Sequence, residues 1–333
     1  MTSWCACPRR DPAERSAIRD TARAERAAEV EGGAVTADAR TRPTRALVLG
    51  GGGLAGIAWE VGVLVGLAEG GVDLGLADRV VGTSAGSVVG TLLTTGVDLA
   101  AVHEEHLAGS SGTTGPPANL DMEALGAELV AAMDGARDAG EMRARLGAWA
   151  LAADTPPEAE RLAVIDARLP VKEWPATDLR ITAVDARSGD LAVFTRDARV
   201  RLVDAVAGSC AVPGVWPPMT VGTWRYIDGG VASVVHVARA DDDGFEITGP
   251  ADRLLVVAPL DPPAGGPFRS VTQEIEHRQE QYPDTTAIAI LADETAVAAF
   301  GTNVLDPATM PASATAGREQ GCARAAEVLR SWA

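Results

Sequence analysis

The rhythm of apolar and polar positions changes at Arg45. Between Pro12 and Val35 the only large apolar residues are Ile18 and Val30. A helix polar on every side buries no face, so residues 1–44 read as a frayed helix or a flexible tail. From Arg45 onward the pattern is that of a core. Ala46-Leu47-Val48-Leu49 is a short apolar strand, Gly50 to Gly56 a glycine loop, and Ile57 to Ala68 a helix apolar almost all round. Arg79-Val80-Val81 is a second strand, running through Gly82-Thr83-Ser84-Ala85-Gly86 into an apolar helix that ends near Leu93. Strand, loop and helix repeated twice predict a parallel sheet covered by helices.

Residues 101–175 break that rhythm. They are acidic and helical in pattern, with a loop from Gly109 to Pro117, and read as a helical insertion over one end of the sheet. Strands resume at Leu179–Asp185, Leu191–Thr195, Trp224–Ile227, Leu254–Ala258 and Ala287–Leu291, and a helix is expected from Arg318 to Trp332. The reading is a tail over 1–44 and one α/β domain over 45–333.

Composition narrows the function. The 333 residues hold 36 Gly and 47% hydrophobic residues, which excludes disorder throughout. Lys and Arg number 29 against 46 Asp and Glu, a net charge of −17, with Lys172 the only lysine. Nucleic acid is therefore not an expected partner, because that interface rests on cations. The tail to Arg45 carries nine Arg against seven acids, leaving twenty cations against thirty-nine anions beyond it. Such a body is repelled by anionic bilayers, so at most transient membrane contact is expected and monomeric or neutral esters suit it better. A basic tail touching membrane is the competing view, weakened by its mixed signs. The apolar stretch Ala46 to Leu67 contains Glu60 and four successive glycines, so no membrane span is expected. The first residues lack the apolar core of a secretory signal. Cys5, Cys7, Cys210 and Cys322 show no zinc spacing and read as free thiols, with a cytoplasmic address by default.

Three segments can carry chemistry. Gly51-x-Gly53-x-x-Gly56 satisfies the dinucleotide fingerprint, with bare amides at a helix start. That reading also needs an acid ending the second strand, and Asp73 and Asp78 both precede it. Gly82-x-Ser84-x-Gly86 between strand and helix forms a nucleophile elbow. Tyr226-Ile227-Asp228-Gly229-Gly230 puts a carboxylate at a strand end, where a surface turn would use the same letters. A serine needs a base and an oxyanion hole, and the three segments together offer both, the glycine loop ending 28 residues before Ser84.

In this order the segments resemble the patatin-like phospholipases, serine–aspartate acyl hydrolases. A fourth segment matches as well, Ala207 to Pro213 followed by Gly214-Val-Trp-Pro-Pro218. The resemblance covers roughly Arg45 to Val235. It implies a three-layer α/β/α fold with a mostly parallel central sheet. Ser84 would be the nucleophile, Asp228 its base, and the amides of Gly51, Gly52 and Gly53 the oxyanion hole. Gly56, Gly82, Gly86, Gly229 and Gly230 would be the motif glycines. No metal or organic cofactor is implied, and the substrate is a lipid or other acyl ester. Ala55 stands where the family usually has Arg or Lys, which weakens phospholipid more than hydrolase. Two alternatives stay open: a dinucleotide-binding protein using Gly51–Gly56, and a catalytically silent lipid-binding relative. A Ser-His-Asp triad would draw on His236 or His277 by position, with His236 reading as a core histidine and His103 and His106 as solvated. An imidazole base would give turnover an acidic limb near its reference pKa of about 6.5.

Overall fold

The computed structural model describes residues 42–109, 122–237, 246–263 and 268–332. The expected tail before residue 42, and the loop of 109–117 beyond its first residue, fall outside them. The first strand–loop–helix unit is β1 (Arg45–Leu49) and α1 (Gly53–Glu69), and the second is β2 (Arg79–Thr83) and α2 (Ala85–Thr94). Four helices follow: α3 (Leu99–Leu107), α4 (Met122–Met133), α5 (Ala139–Ala152) and α6 (Glu158–Arg168). Next come β3 (Asp178–Asp185), β4 (Leu191–Phe194), α7 (Leu202–Ser209), β5 (Met219–Val221) and β6 (Trp224–Asp228). The remaining elements are β7 (Arg253–Ala258), α8 (Val271–Gln281), β8 (Thr286–Leu291), α9 (Glu294–Phe300) and α10 (Met310–Trp332).

The strands form one mixed sheet of eight, in which hydrogen-bonded neighbours run β5-β6-β3-β2-β1-β7-β8 and β4 also pairs with β3. Strands β1, β2, β3, β7 and β8 are parallel, while β4 and β6 oppose β3. Alternation along the parallel strands splits the core in two. Leu47, Leu49, Val80 and Val257 face a cluster covered by α1, α2, α7 and α10. Val48, Val81 and Val256 face the other side, where Val271 of α8 packs, and α5 covers Val184 and Ile227 at its far end. Helices on both faces make the three layers.

The register around β3 positions the site. Strand β4 pairs with Ile181 to Val184, overlapping the stretches of β3 that pair with β2 and with β6. A strand residue has two edges, so β4 takes one edge of β3, and β2 and β6 share the other end to end. Pairing with β2 stops at Thr83↔Thr182, and pairing with β6 stops at Asp228↔Ala183. Two strands running in opposite directions thus end head to head, with Ser84 just past one end and Asp228 at the other.

Several elements differ from the sequence reading. α1 begins at Gly53, not Ile57, because Ala55 donates to Val304 O (3.0 Å) and Gly56 to Gly52 O (2.8 Å), drawing the end of the glycine loop into the helix. α10 begins at Met310, not Arg318. It lies along α1 backbone to backbone. A Cβ on Gly62 or Gly66 would stand 2.4 or 2.3 Å from the carbonyl oxygens of Ala314 and Arg318, and one on Gly317 or Gly321 2.2 or 2.3 Å from those of Trp59 and Val63. α3 packs between α1 and α10, so His103 and His106 are 3% and 5% exposed, not solvated. Burial draws the His106 imidazole down to about 4, with His103 and Arg168 adding to the shift. Among the described residues no helix is long and apolar enough to cross a membrane.

Candidate active site

Ser84 occupies the turn between β2 and α2 with φ 51° and ψ −113°. A non-glycine residue in that region is strained and persists only where its surroundings over-determine it. Here they do. A Cβ on Gly82 would come within 2.5 Å of Gly86 O, and one on Gly86 within 2.2 Å of Leu49 O, so the turn closes only with glycine at both places. Three side-chain contacts hold the Ser84 backbone: its amide donates to Ser209 Oγ (2.9 Å), and its carbonyl accepts from Ser87 Oγ (2.7 Å) and Cys210 Sγ (3.2 Å). The side chain is left at the N-terminus of α2, where the helix dipole favours developing negative charge.

Its hydroxyl donates to Asp228 Oδ2 at 2.7 Å. The other carboxylate oxygen, Oδ1, accepts from the Gly230 amide at 2.8 Å, which fixes the rotamer. Gly229 lies so close under β3 that a Cβ would meet Thr182 Oγ1 at 2.4 Å. Asp228 is 5% exposed, and burial pushes its carboxyl up to about 6, against the lowering effects of the Gly230 amide, the Ser84 hydroxyl and Arg161. A carboxylate held there accepts a proton far more readily than an exposed one.

The three loop glycines differ. Gly51 donates to Val234 O at 2.9 Å, so its amide is not available to an oxyanion, contrary to expectation. The amides of Gly52 and Gly53 make no such bond among the described residues, and Gly53 lines the same small cavity as Ser84 and Ala85. Gly52 has φ −178°, an extended backbone open to any residue. What excludes a side chain there is chiefly Pro259, whose Cβ would lie 2.6 Å from an added Cβ, with Gly56 Cα at 2.9 Å behind it. Below the loop, Glu60 is fully buried, and burial keeps its carboxyl well above the usual range, against the lowering effect of the Gly50 backbone.

No histidine joins Ser84. His236 Nε2 lies 3.2 Å from Gly229 O, in the core and with its pKa drawn by burial to about 4. His277 pairs with Glu280 on α8 at 3.4 Å, and His103 Nε2 sits 3.1 Å from Ala314 O. The dinucleotide arrangement does not assemble either. Asp73 accepts from the Gly75 amide and Asp78 from the Arg45 amide, and β2 ends in the elbow.

The family model for patatin-like phospholipases matches residues 47–241, more than half of the chain. The chain belongs to the patatin-like phospholipase family. Solved structures similar to this patatin-like chain include VipD from Legionella pneumophila, at 13% identity and TM-score 0.44, over 86% of this chain and 67% of that one. Another is the type III effector protein ExoU, at 16% identity and TM-score 0.35, over 86% of this chain and 53% of that one. The patatin-like chain thus spans about half the length of the ExoU chain. No curated protein sequence matches it.

Residues that sequence reasoning passed over complete the site. Pro259 and Leu305 lie beyond the matched stretch, yet Pro259 presses on Gly52 and Leu305 lines the Ser84 cavity. Ser209 lies within the fourth matching segment, but its bond to the Ser84 amide has no signature in the letters. Arg161, Arg168 and Trp216 form the wall above Ser84. A larger, mainly apolar cavity of about 820 Å³ adjoins it, sharing Leu54, Ile57, Arg168 and Trp216 with the smaller one.

Proposed function

We propose that this family member hydrolyses carboxylic esters of lipids through a Ser84–Asp228 dyad. The observation that carries the reading is the 2.7 Å bond from Ser84 Oγ to a buried carboxylate, at a strained elbow on a helix N-terminus. Ser84 Oγ attacks the acyl carbonyl while its proton passes to Asp228 Oδ2. The tetrahedral oxyanion lies against the amides of Gly52 and Gly53. Collapse breaks the bond to the leaving alkoxide, which takes the proton back from Asp228. Water then gives a proton to Asp228 and attacks the acyl-serine. The carboxylic acid leaves as Ser84 Oγ regains its proton. The adjoining apolar cavity suits an acyl chain.

Labelling by a fluorophosphonate probe, together with hydrolysis of a short p-nitrophenyl ester, tests the reading. Both should be present in the wild type and lost in Ser84→Ala. A folded protein that neither labels nor turns over ester would be the silent relative instead.

A further inference from the structure

Positive charge stands beside Ser84 that the proposed reaction does not use. Arg161 and Arg168 are seven residues apart on α6, two turns along one face. Both line the small cavity with Ser84, and Arg168 also borders the 820 Å³ cavity. Arg161 is 3% exposed. Its Nη2 donates to Cys210 O at 3.0 Å and its guanidinium lies 4.1 Å from the Trp216 ring centre. The enclosed Nε atoms of both arginines have no hydrogen-bond partner. Neither forms an ion pair among the described residues. The two repel each other, and burial lowers both guanidinium pKa values, that of Arg161 to about 10, so it stays charged at neutral pH. Asp228 is the carboxylate whose charge reaches Arg161. Asp98, Glu105 and Glu160 also border the larger cavity.

Burying the Arg161 guanidinium, and partly burying that of Arg168, without a carboxylate to each is costly. Cys210 O and the Trp216 ring offset part of this for Arg161, but no carboxylate pairs with either arginine among the described residues, and the chain's overall −17 makes the local excess stand out further. A planar fork of N–H donors is matched by a phosphate or a carboxylate. We propose that Arg161 and Arg168 bind an anionic group of the substrate, so that the preferred ester carries a phosphate or carboxylate close to the scissile carbonyl. The inference rests on Ser84 being the nucleophile, and it reverses the preference for neutral esters that the net charge alone suggests.

The experiment compares two single-chain esters below their micelle concentrations: a 1-acylglycerol and the same compound bearing a 3-phosphate. The wild type should favour the phosphate ester in kcat/KM on the order of 10- to 100-fold, the scale of hydrogen bonds between charged groups. Arg168→Gln should bring that ratio close to one, mainly through KM for the phosphate ester. Arg168→Lys should keep part of it, since the charge survives without the fork. Calorimetric titration with octyl phosphate and with octanoate separates a headgroup site from one for the released fatty acid. Loss of octyl phosphate binding in Arg168→Gln supports the first; loss confined to octanoate overturns it. Equal turnover of both esters by the wild type, or a ratio untouched in Arg168→Gln, overturns the site and leaves the hydrolase reading standing. A protein inert to both esters and to fluorophosphonate, yet binding octyl phosphate through Arg168, would sink the hydrolase reading and keep the anion site.

Discussion

The floor of the Ser84 site and the wall above it are built by different means. On the floor, backbone meets backbone. Gly82 abuts Gly86, Gly86 abuts Leu49, Gly229 abuts Thr182, and none has room for a Cβ. Geometry set by main-chain contact depends on a few adjacent letters. The wall is made of long side chains, Arg161 and Arg168 from α6 and Trp216 from the loop after α7. Their meeting depends on how α6 docks against α7, which no short motif specifies. On the proposed reading, chemistry and selectivity are thus written at different ranges in the chain.

The difference is broken most directly at the floor. Ser84→Ala and Asp228→Asn should each lower ester turnover by about 10⁴-fold or more, with the melting curve retained, as when members of a catalytic set are removed. If either variant is folded and keeps substantial turnover, the floor is not where the chemistry lies. A smaller loss, on the order of 10²–10³, is expected for Gly52→Ala, the scale of an oxyanion donor displaced. The clash is with Pro259, so Pro259→Gly should restore part of the loss in the double variant. If the two losses simply add, the explanation by contact is wrong.

The pH profile joins floor to wall. With Asp228 at about 6, kcat/KM should fall as pH drops below that value, because the base must be unprotonated. An acidic limb near 6 therefore does not separate carboxylate from imidazole, since a histidine base would place it close by. The neighbour does separate them. Arg161 holds Asp228 down, so in a folded Arg161→Gln protein the limb should move to higher pH. His236→Gln should leave it in place, because that ring is neutral down to about 4. A limb that follows His236 and ignores Arg161 would replace the dyad. The smallest effect is expected from the tail: deletion of residues 1–39 should leave turnover and melting temperature unchanged, as measured by ester assay and calorimetry.

What could be read from the letters follows the same division. β1, β2 and the elbow were legible because apolar runs and glycine spacing are local signals. Asp228 was legible as an acid ending a strand, although its meeting with Ser84 comes from β2 and β6 sharing one edge of β3. The start of α1 was misplaced because successive glycines favour a loop by propensity, and contacts with Val304 outweigh that here. α8 was missed because its sequence, VTQEIEHRQEQ, carries little apolar stripe; its capping box, Ser270 with Gln273, was the available signal. His103 and His106 were misread because the burial of α3 is decided by α10, two hundred residues away. β5 is three residues long and leaves no periodicity to detect.

The glycine seam between α1 and α10 also has a meaning in time. α1 opens with the amides of Gly52 and Gly53, and the partner that seats it is made by the ribosome long after Ser84 and Asp228. Until Met310–Trp332 has emerged, the Gly62 and Gly66 face of α1 is uncovered and apolar. The nascent chain should then be inert towards esters even with both dyad residues already present. Stalled nascent chains offer the measurement: those ending before Met310 should resist fluorophosphonate, and those long enough to release α10 should react. Gly317→Val, which drives a branched side chain into Trp59 O, should keep even a chain that includes α10 in the unreactive state. On this view the helix Met310–Trp332 acts as a clock, delaying the proposed ester-cleaving activity until that helix has been made.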